Sequence, residues 1–257
     1  MSVLLKVTNL KKAYGAIQAV GGVSFEVQPG EIFGVIGPNG SGKTTFFNAT
    51  CGIYPVAGGS IEFAGQPLTG ASPRQVYGAG ITRTFQRSRL CLPLSVFDNI
   101  MIGNHRNLNH GLGFNLFRRK AWRAEFERNE LAARELLRTF SPGLAENLFR
   151  EAGDVNMIDR RRIEICRALI SRPRLLLLDE PSAGMTPEET RELMDDIVAA
   201  KQRSGGLTIA IIEHEMNVIE RITDRCVVLN FGEKICEGTY RQVAADRQVQ
   251  QAYLGVT

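Results

Sequence analysis

The run Gly37-Pro38-Asn39-Gly40-Ser41-Gly42-Lys43-Thr44 constrains this chain more than any other stretch. It fits G-x-x-x-x-G-K-[ST] at every fixed position. Ile32–Ile36 before it is a short apolar run that suits a strand buried on both faces, and the stretch from Lys43 to about Cys51 suits a helix. Strand, glycine loop and helix in that order make a phosphate cradle. Glycines accept positive φ and let backbone N–H groups turn inward, and the helix N-terminus adds partial positive charge. Lys43 is placed to reach the β- and γ-phosphates of a nucleotide, and the Thr44 hydroxyl to ligate Mg2+. The expected phosphate-binding residues are Gly37, Pro38, Asn39, Gly40, Ser41, Gly42, Lys43, Thr44 and Thr45.

A second cluster lies at Leu175-Leu176-Leu177-Leu178-Asp179-Glu180. Four apolar residues predict a buried strand, and two carboxylates follow at its C-terminal end, the edge where open α/β sheets bind ligands. Beside a phosphate cradle, Asp179 is expected to hold Mg2+, directly or through water. Glu180 is expected to orient or deprotonate an attacking water.

The rest of the pattern agrees with an α/β fold. Leu4–Val7, Val23–Val27, Ile61–Phe63, Ile81–Phe85, Leu207–Ile212 and Arg225–Leu229 read as strands, and Phe231-Gly232-Glu233 turns the chain into Lys234–Glu237. From about Ser95 to Arg162 the strand signals stop. Phe126, Ala133, Leu136, Leu137 and Phe140 recur at helical spacing until Ser141-Pro142-Gly143 ends the helix. Thr186-Pro187-Glu188-Glu189 opens another helix with a capping box and proline at the first helical position. Strands alternating with helices imply a largely parallel sheet.

Composition removes several alternatives. The five cysteines have no CxxC spacing and their count is odd, so reduced thiols are expected. They form no metal pattern with His105, His110 and His214. Apolar runs are far shorter than the roughly 20 residues that span a bilayer, and Met1–Leu10 does not read as a signal peptide. The net charge of +4 is mild. The one basic cluster, Arg160–Arg162, reads as a solvated helix face, so no nucleic-acid partner is expected.

The order of these motifs resembles the ABC transporter ATPase family over nearly the whole chain. The resemblance implies a P-loop NTPase: a RecA-like core with an antiparallel β side over residues 1–94 and 165–257, and a helical subdomain over 95–164. It implies ATP and Mg2+ as cofactors and ATP hydrolysis as the reaction. Tyr14 sits where the family stacks an aromatic on adenine. Gln86, in Thr84-Phe85-Gln86, resembles the glutamine that contacts Mg2+ and water and senses the membrane subunit. His214 resembles the switch histidine at the γ-phosphate, and Ser182-Ala183-Gly184-Met185 resembles a dimer-contact loop. Gly80–Gln86, Arg161–Leu169 and the ending Ala252-Tyr253-Leu254-Gly255 resemble the branched-chain amino acid transporter ATPases, a LivG-like group whose relatives also handle urea and short amides. The implied partners are integral-membrane permease subunits, a second ATPase subunit and, indirectly, an extracytoplasmic solute-binding protein. The implied location is the cytoplasmic face of the inner membrane.

One segment departs from that family. Where a Leu-Ser-Gly-Gly-Gln signature is expected, the chain has Val155-Asn156-Met157-Ile158-Asp159. Asn156 takes the serine slot, Ile158 a glycine slot and Asp159 the glutamine slot. Family members sandwich each nucleotide between one chain's P-loop and the other chain's signature. A branched side chain and a negative charge there predict a weakened half-site on the partner's nucleotide. An asymmetric heterodimer is therefore favoured, with a homodimer left open. A DNA-repair or translation ATPase fits less well, because those carry two cassettes or long coiled insertions. A regulatory subunit that barely turns over is the other rival.

Overall fold

The computed structural model describes residues 3–86, 88–109, 111 and 117–254. Two compact units divide them. The first comprises residues 1–83, 174–183 and 205–257, and the second 84–173 and 184–204. The helical subdomain expected over 95–164 lies within the span of the second unit.

Two sheets build the first unit. β1 (Leu5–Tyr14), β2 (Ile17–Val27), β4 (Gly58–Phe63) and β5 (Gln66–Pro67) form an antiparallel sheet in the order β2-β1-β4-β5. β3 (Ile32–Ile36), β6 (Ile81–Arg83), β7 (Leu175–Asp179), β8 (Thr208–Ile212), β9 (Arg225–Asn230) and β10 (Glu233–Gly238) form the second, in the order β10-β9-β3-β8-β7-β6. Every pairing in the second sheet is parallel except that of β10 with β9. β3, β7 and β8 are buried at every residue, which is why they read as unbroken apolar runs. β1 and β2 run past the expected Leu4–Val7 and Val23–Val27. Asn9, at φ 50, marks a register shift between Val7 and Leu10, and beyond it the hydrogen-bonded pairing continues to Tyr14 with little apolar patterning. β6 stops at Arg83, short of the expected Phe85. α1 (Lys43–Thr50) follows β3. α2 (Pro73–Ala79) was missed, although Ser72 and Gln75 form the same capping box, with proline in the first turn, that marked Thr186.

The second unit is helical. It contains α3 (Val96–Ile102), α4 (Arg119–Phe140), α5 (Pro142–Glu146), α6 (Met157–Leu169) and α7 (Pro187–Arg203). Ile100, Ala133, Leu137, Phe140, Leu148 and Ile163 are buried in it. Pro142 ends one helix and starts the next. Thr186 accepts from Glu189 N–H at 3.2 Å, while the Glu189 carboxylate accepts from Thr186 N–H at 2.9 Å.

Arg160–Arg162 is not a solvated face. Arg161 is 6% exposed and donates to Glu164 at 2.8 Å and to the backbone oxygens of Phe85 and Gln86 at 3.0 and 3.1 Å. Arg162 pairs with Asp196 at 2.9 Å, and Arg160 donates to Gly153 O and Val155 O. Three consecutive guanidinium groups are consumed by internal carbonyls and carboxylates, which a charge count cannot distinguish from a wet helix.

The first unit also holds α8 (Met216–Ile222), α9 (Tyr240–Ala245) and α10 (Arg247–Leu254), none of which the sequence reading specifies. All five cysteines are free thiols. Burial pushes Cys51 to about 11 and Cys226 to about 12, and also raises Cys166, while Cys91 is exposed. In limited iodoacetamide at pH 8, mass spectrometry should find Cys91 alkylated in the folded chain and Cys51, Cys166 and Cys226 alkylated only after unfolding, since the thiolate is the reactive form.

Candidate nucleotide site

β3 delivers the glycine loop at the C-terminal edge of the parallel sheet. Gly37 adopts φ 147, and a Cβ there would stand 2.0 Å from Leu229 O. Gly42, at φ 99, would place a Cβ 2.3 Å from Ala19 O. No other residue fits at either position, so the loop is fastened from behind by β9 and β2. Gly232 N–H adds a bond to Ser41 O at 3.0 Å.

Gly42 is the N-cap of α1, with no side-chain cap and no acid in the first turn. The helix therefore presents uncompensated N–H groups. Lys43 is 5% exposed, and its ammonium donates to Gly37 O at 2.7 Å and Pro38 O at 2.9 Å. Burial lowers its pKa, against the pull of Glu180 and Asp179. Ser41 Oγ is buried with no hydrogen-bond partner among the described residues. An uncapped helix start, an orphan hydroxyl and a cation resting on loop carbonyls fit a phosphate group.

The acidic pair stands at the end of β7. Asp179 is 1% exposed; burial raises its pKa, and Arg83, whose Nη2 lies 2.6 Å from Oδ2, pulls it back. Arg83 also donates to Asn48 Oδ1 at 2.7 Å. Arg83 is not singled out by the sequence reading although it lies inside Gly80–Gln86, where its signal is a charge at the end of an otherwise buried strand. Glu180 takes φ 48, unusual for a residue with a side chain, and its N–H donates to Ile212 O at 2.9 Å. His214 Nε2 contacts Glu180 Oε1.

The structure thus brings Lys43, Asp179, Glu180 and His214 together in the first unit. Tyr14 is half exposed, edge-on to Tyr54 at 5.8 Å between centroids, with Lys12 Nζ 4.9 Å from its ring centre. Lys12 Nζ also lies 5.8 Å from the Tyr54 ring centre. Thr44 and Asn39 are exposed, and Thr45 and Pro38 are partly buried. Gln86 is exposed and belongs to the second unit. Thr44 and Asp179 offer hard oxygen donors of the kind Mg2+ prefers. Among the described residues no group of three or more His, Cys, Asp or Glu could hold a metal by itself, so phosphate oxygens would have to complete the shell.

The family profile described as ABC transporter matches residues 20–183, the span holding the glycine loop, Asp179 and Glu180. The chain belongs to the ABC transporter family. It is an ATP-binding subunit and an ATPase. A second profile, Branched-chain amino acid ATP-binding cassette transporter, matches residues 233–257. The chain is similar to the high-affinity branched-chain amino acid transport ATP-binding protein LivG of Escherichia coli (strain K12), with 39% identity over 98% of each chain. It is also similar to the corresponding BraF protein of Pseudomonas aeruginosa, with 37% identity and the same coverage. Among solved structures, the ADP conformation of MJ1267, an ATP-binding cassette of an ABC transporter, superposes at TM-score 0.85 with 30% identity over 100% of both chains. Among the described residues of this ABC cassette, no helix is long and apolar enough to cross a membrane.

The C-terminal segment reaches the glycine loop. α10 contributes Gln248, Gln251 and Ala252 to a cavity of about 480 Å3 that Pro38, Asn39 and Ser41 also line. Burial raises Tyr253 to about 12, and the Gly37 amide acts in the opposite sense.

Proposed function

We propose that this ABC cassette hydrolyses Mg2+-bound ATP to power import of branched-chain or closely related amino acids, from the cytoplasmic face of the membrane. The observation that carries the catalytic part is the convergence of Lys43, Asp179, Glu180 and His214 at one edge of the parallel sheet. The glycine-loop amides and Lys43 bind the phosphates, and Tyr14 supports adenine. Thr44 and Asp179 would hold Mg2+, which would neutralise charge on the β- and γ-phosphates when bound. Glu180 takes the proton of the attacking water, and His214 orients the γ-phosphate. Little covalent work is left to the protein beyond positioning and charge stabilisation.

The solute assignment rests on the two named relatives and on the C-terminal profile. The chain works with permease subunits, an extracytoplasmic solute-binding protein acting through them, and a second ATPase subunit. Vesicles containing the purified assembly and internal ATP should accumulate radiolabelled leucine, isoleucine or valine, and unlabelled members of that set should compete. Uptake of urea or an amide in their place would overturn the solute and leave the ATPase reading standing.

The departure at 155–159 supports an asymmetric dimer, for a reason that differs in detail from the one the sequence suggests. Ile158 is 7% exposed and buried in the second unit, so it does not obstruct a phosphate; Met157, 56% exposed, projects from the first turn of α6. Asn156 is committed to capping α6, accepting from Asp159 N–H at 2.8 Å. Asp159 pairs with Arg162 at 3.3 Å, but Arg162 also serves Glu192 and Asp196. Asp159 therefore shares its guanidinium with two other carboxylates and leaves a carboxylate in the first turn of α6, where a partner's phosphate needs donors.

A further inference from the structure

We propose that Glu213 is a positioning residue that locks Ser182 to the segment carrying His214 and so fixes the Glu180–His214 pair for hydrolysis. The proposal rests on the assignment of Glu180 and His214 given above.

The topology puts the two segments side by side. Asp179 is paired with Ile212 at the ends of β7 and β8, and Glu180 N–H donates to Ile212 O at 2.9 Å. Beyond that point both strands have ended and no ladder holds them in register. Glu213 replaces it. The residue is 3% exposed, and its Oε1 accepts from Ser182 N–H at 3.0 Å and Ser182 Oγ–H at 2.7 Å. Its Oε2 accepts from His214 N–H at 3.3 Å. Ser182 is itself 4% exposed.

Three donors converge on one side chain, and that explains the residue type. A carboxylate accepts at both oxygens, whereas glutamine must turn an NH2 group toward a donor. Burial and the nearby Glu215 raise the Glu213 pKa, and the three donors oppose them. A buried carboxylate is costly unless it is hydrogen-bonded. Here the bonds run to the turn that leaves Glu180 and to the backbone of His214. Ser182 also opens the loop that resembles a dimer contact. Movement of that loop on partner docking would therefore act through Glu213 on the backbone that aims the His214 ring.

The test compares wild type with Glu213→Gln, Glu213→Asp, Ser182→Ala and the Glu213→Gln/Ser182→Ala pair in the assembled ATPase, well below each melting temperature. Glu213→Gln should lower kcat about tenfold, with the KM for ATP within about twofold. The double variant should be no worse than Glu213→Gln alone, because both changes break one network. Glu213→Asp should recover part of the loss. In NMR spectra of the nucleotide-free chain at a single pH, the His214 ring resonances should move in Glu213→Gln and return toward wild type in Glu213→Asp. The proposal is overturned if kcat is unchanged, if kcat and KM move together, or if the His214 ring resonances of Glu213→Gln match wild type. Failure of the underlying assignment looks different: Glu180→Gln would keep its turnover, and the His214 ring resonances would still decide the role of Glu213.

Discussion

Glu180→Gln is expected to lower ATP turnover by about 10^2 to 10^4-fold while ATP binding survives. The substitution keeps shape and size and removes the ability to accept a proton from water. The site favours that reading because Glu180 is 8% exposed, held at φ 48, and in contact with His214. A strained backbone at the end of a buried strand is retained where it aims a side chain. The proposed phosphate ligands, by contrast, are the glycine loop, Lys43 and the start of α1; the substitution leaves the Lys43 hydrogen bonds to Gly37 O and Pro38 O in place and removes one of the two carboxylates that act on its charge. Steady-state hydrolysis and equilibrium binding of a fluorescent ATP analogue separate the two effects. Retained turnover would move the proton acceptor elsewhere. Lost binding would mean that Glu180 supports the loop and not the water.

Much of this was legible because one physical demand fixed one residue type. Only glycine fits against Leu229 O and Ala19 O at Gly37 and Gly42, so the loop announces itself. β3, β7 and β8 are buried on both faces, so their apolar runs are continuous and their ends are sharp. The C-terminal half of β1 is different: backbone pairing beyond the shift at Asn9 holds it, and side-chain pattern does not record that. Residues that act through distant partners were also hidden. Arg83 meets Asp179, and Glu213 meets Ser182, across 96 and 31 positions of sequence. Arg161 shows the converse, a charge that looks solvated until its carbonyl partners at Phe85 and Gln86 are seen. Single-chain patterning reports burial and turns; it does not report which charge a fold brings to which acid.

The altered segment at Asn156–Asp159 predicts an unusual complementation. If a nucleotide needs an intact signature from the opposing chain, the chain paired with itself meets only the altered one, and its turnover should be slow. The signature is best restored at positions outside the buried core, Asn156 being exposed and Asp159 partly buried. Ile158→Gly would open a cavity in the second unit at a cost of several kcal/mol, about 3 or more, which would confuse stability with chemistry. Asn156→Ser keeps a capping oxygen on α6, and Asp159→Gln removes one of the three carboxylates around Arg162, which retains Asp196 at 2.9 Å. Joining these two changes to Glu180→Gln gives a chain that offers a repaired signature but cannot hydrolyse its own nucleotide. Alone it should be inactive. Mixed with wild type, it forms dimers in which an intact Glu180 faces a repaired signature. The rate should then rise about tenfold or more above that of wild type alone, since one preorganised donor at a developing charge is worth about 10^2-fold. Neither chain supplies that activity by itself, so a gain on mixing can only come from a site shared between two chains. No gain on mixing, with dimers present, would mean that Asn156 and Asp159 already serve as a working signature, and the asymmetric dimer would lose its physical basis.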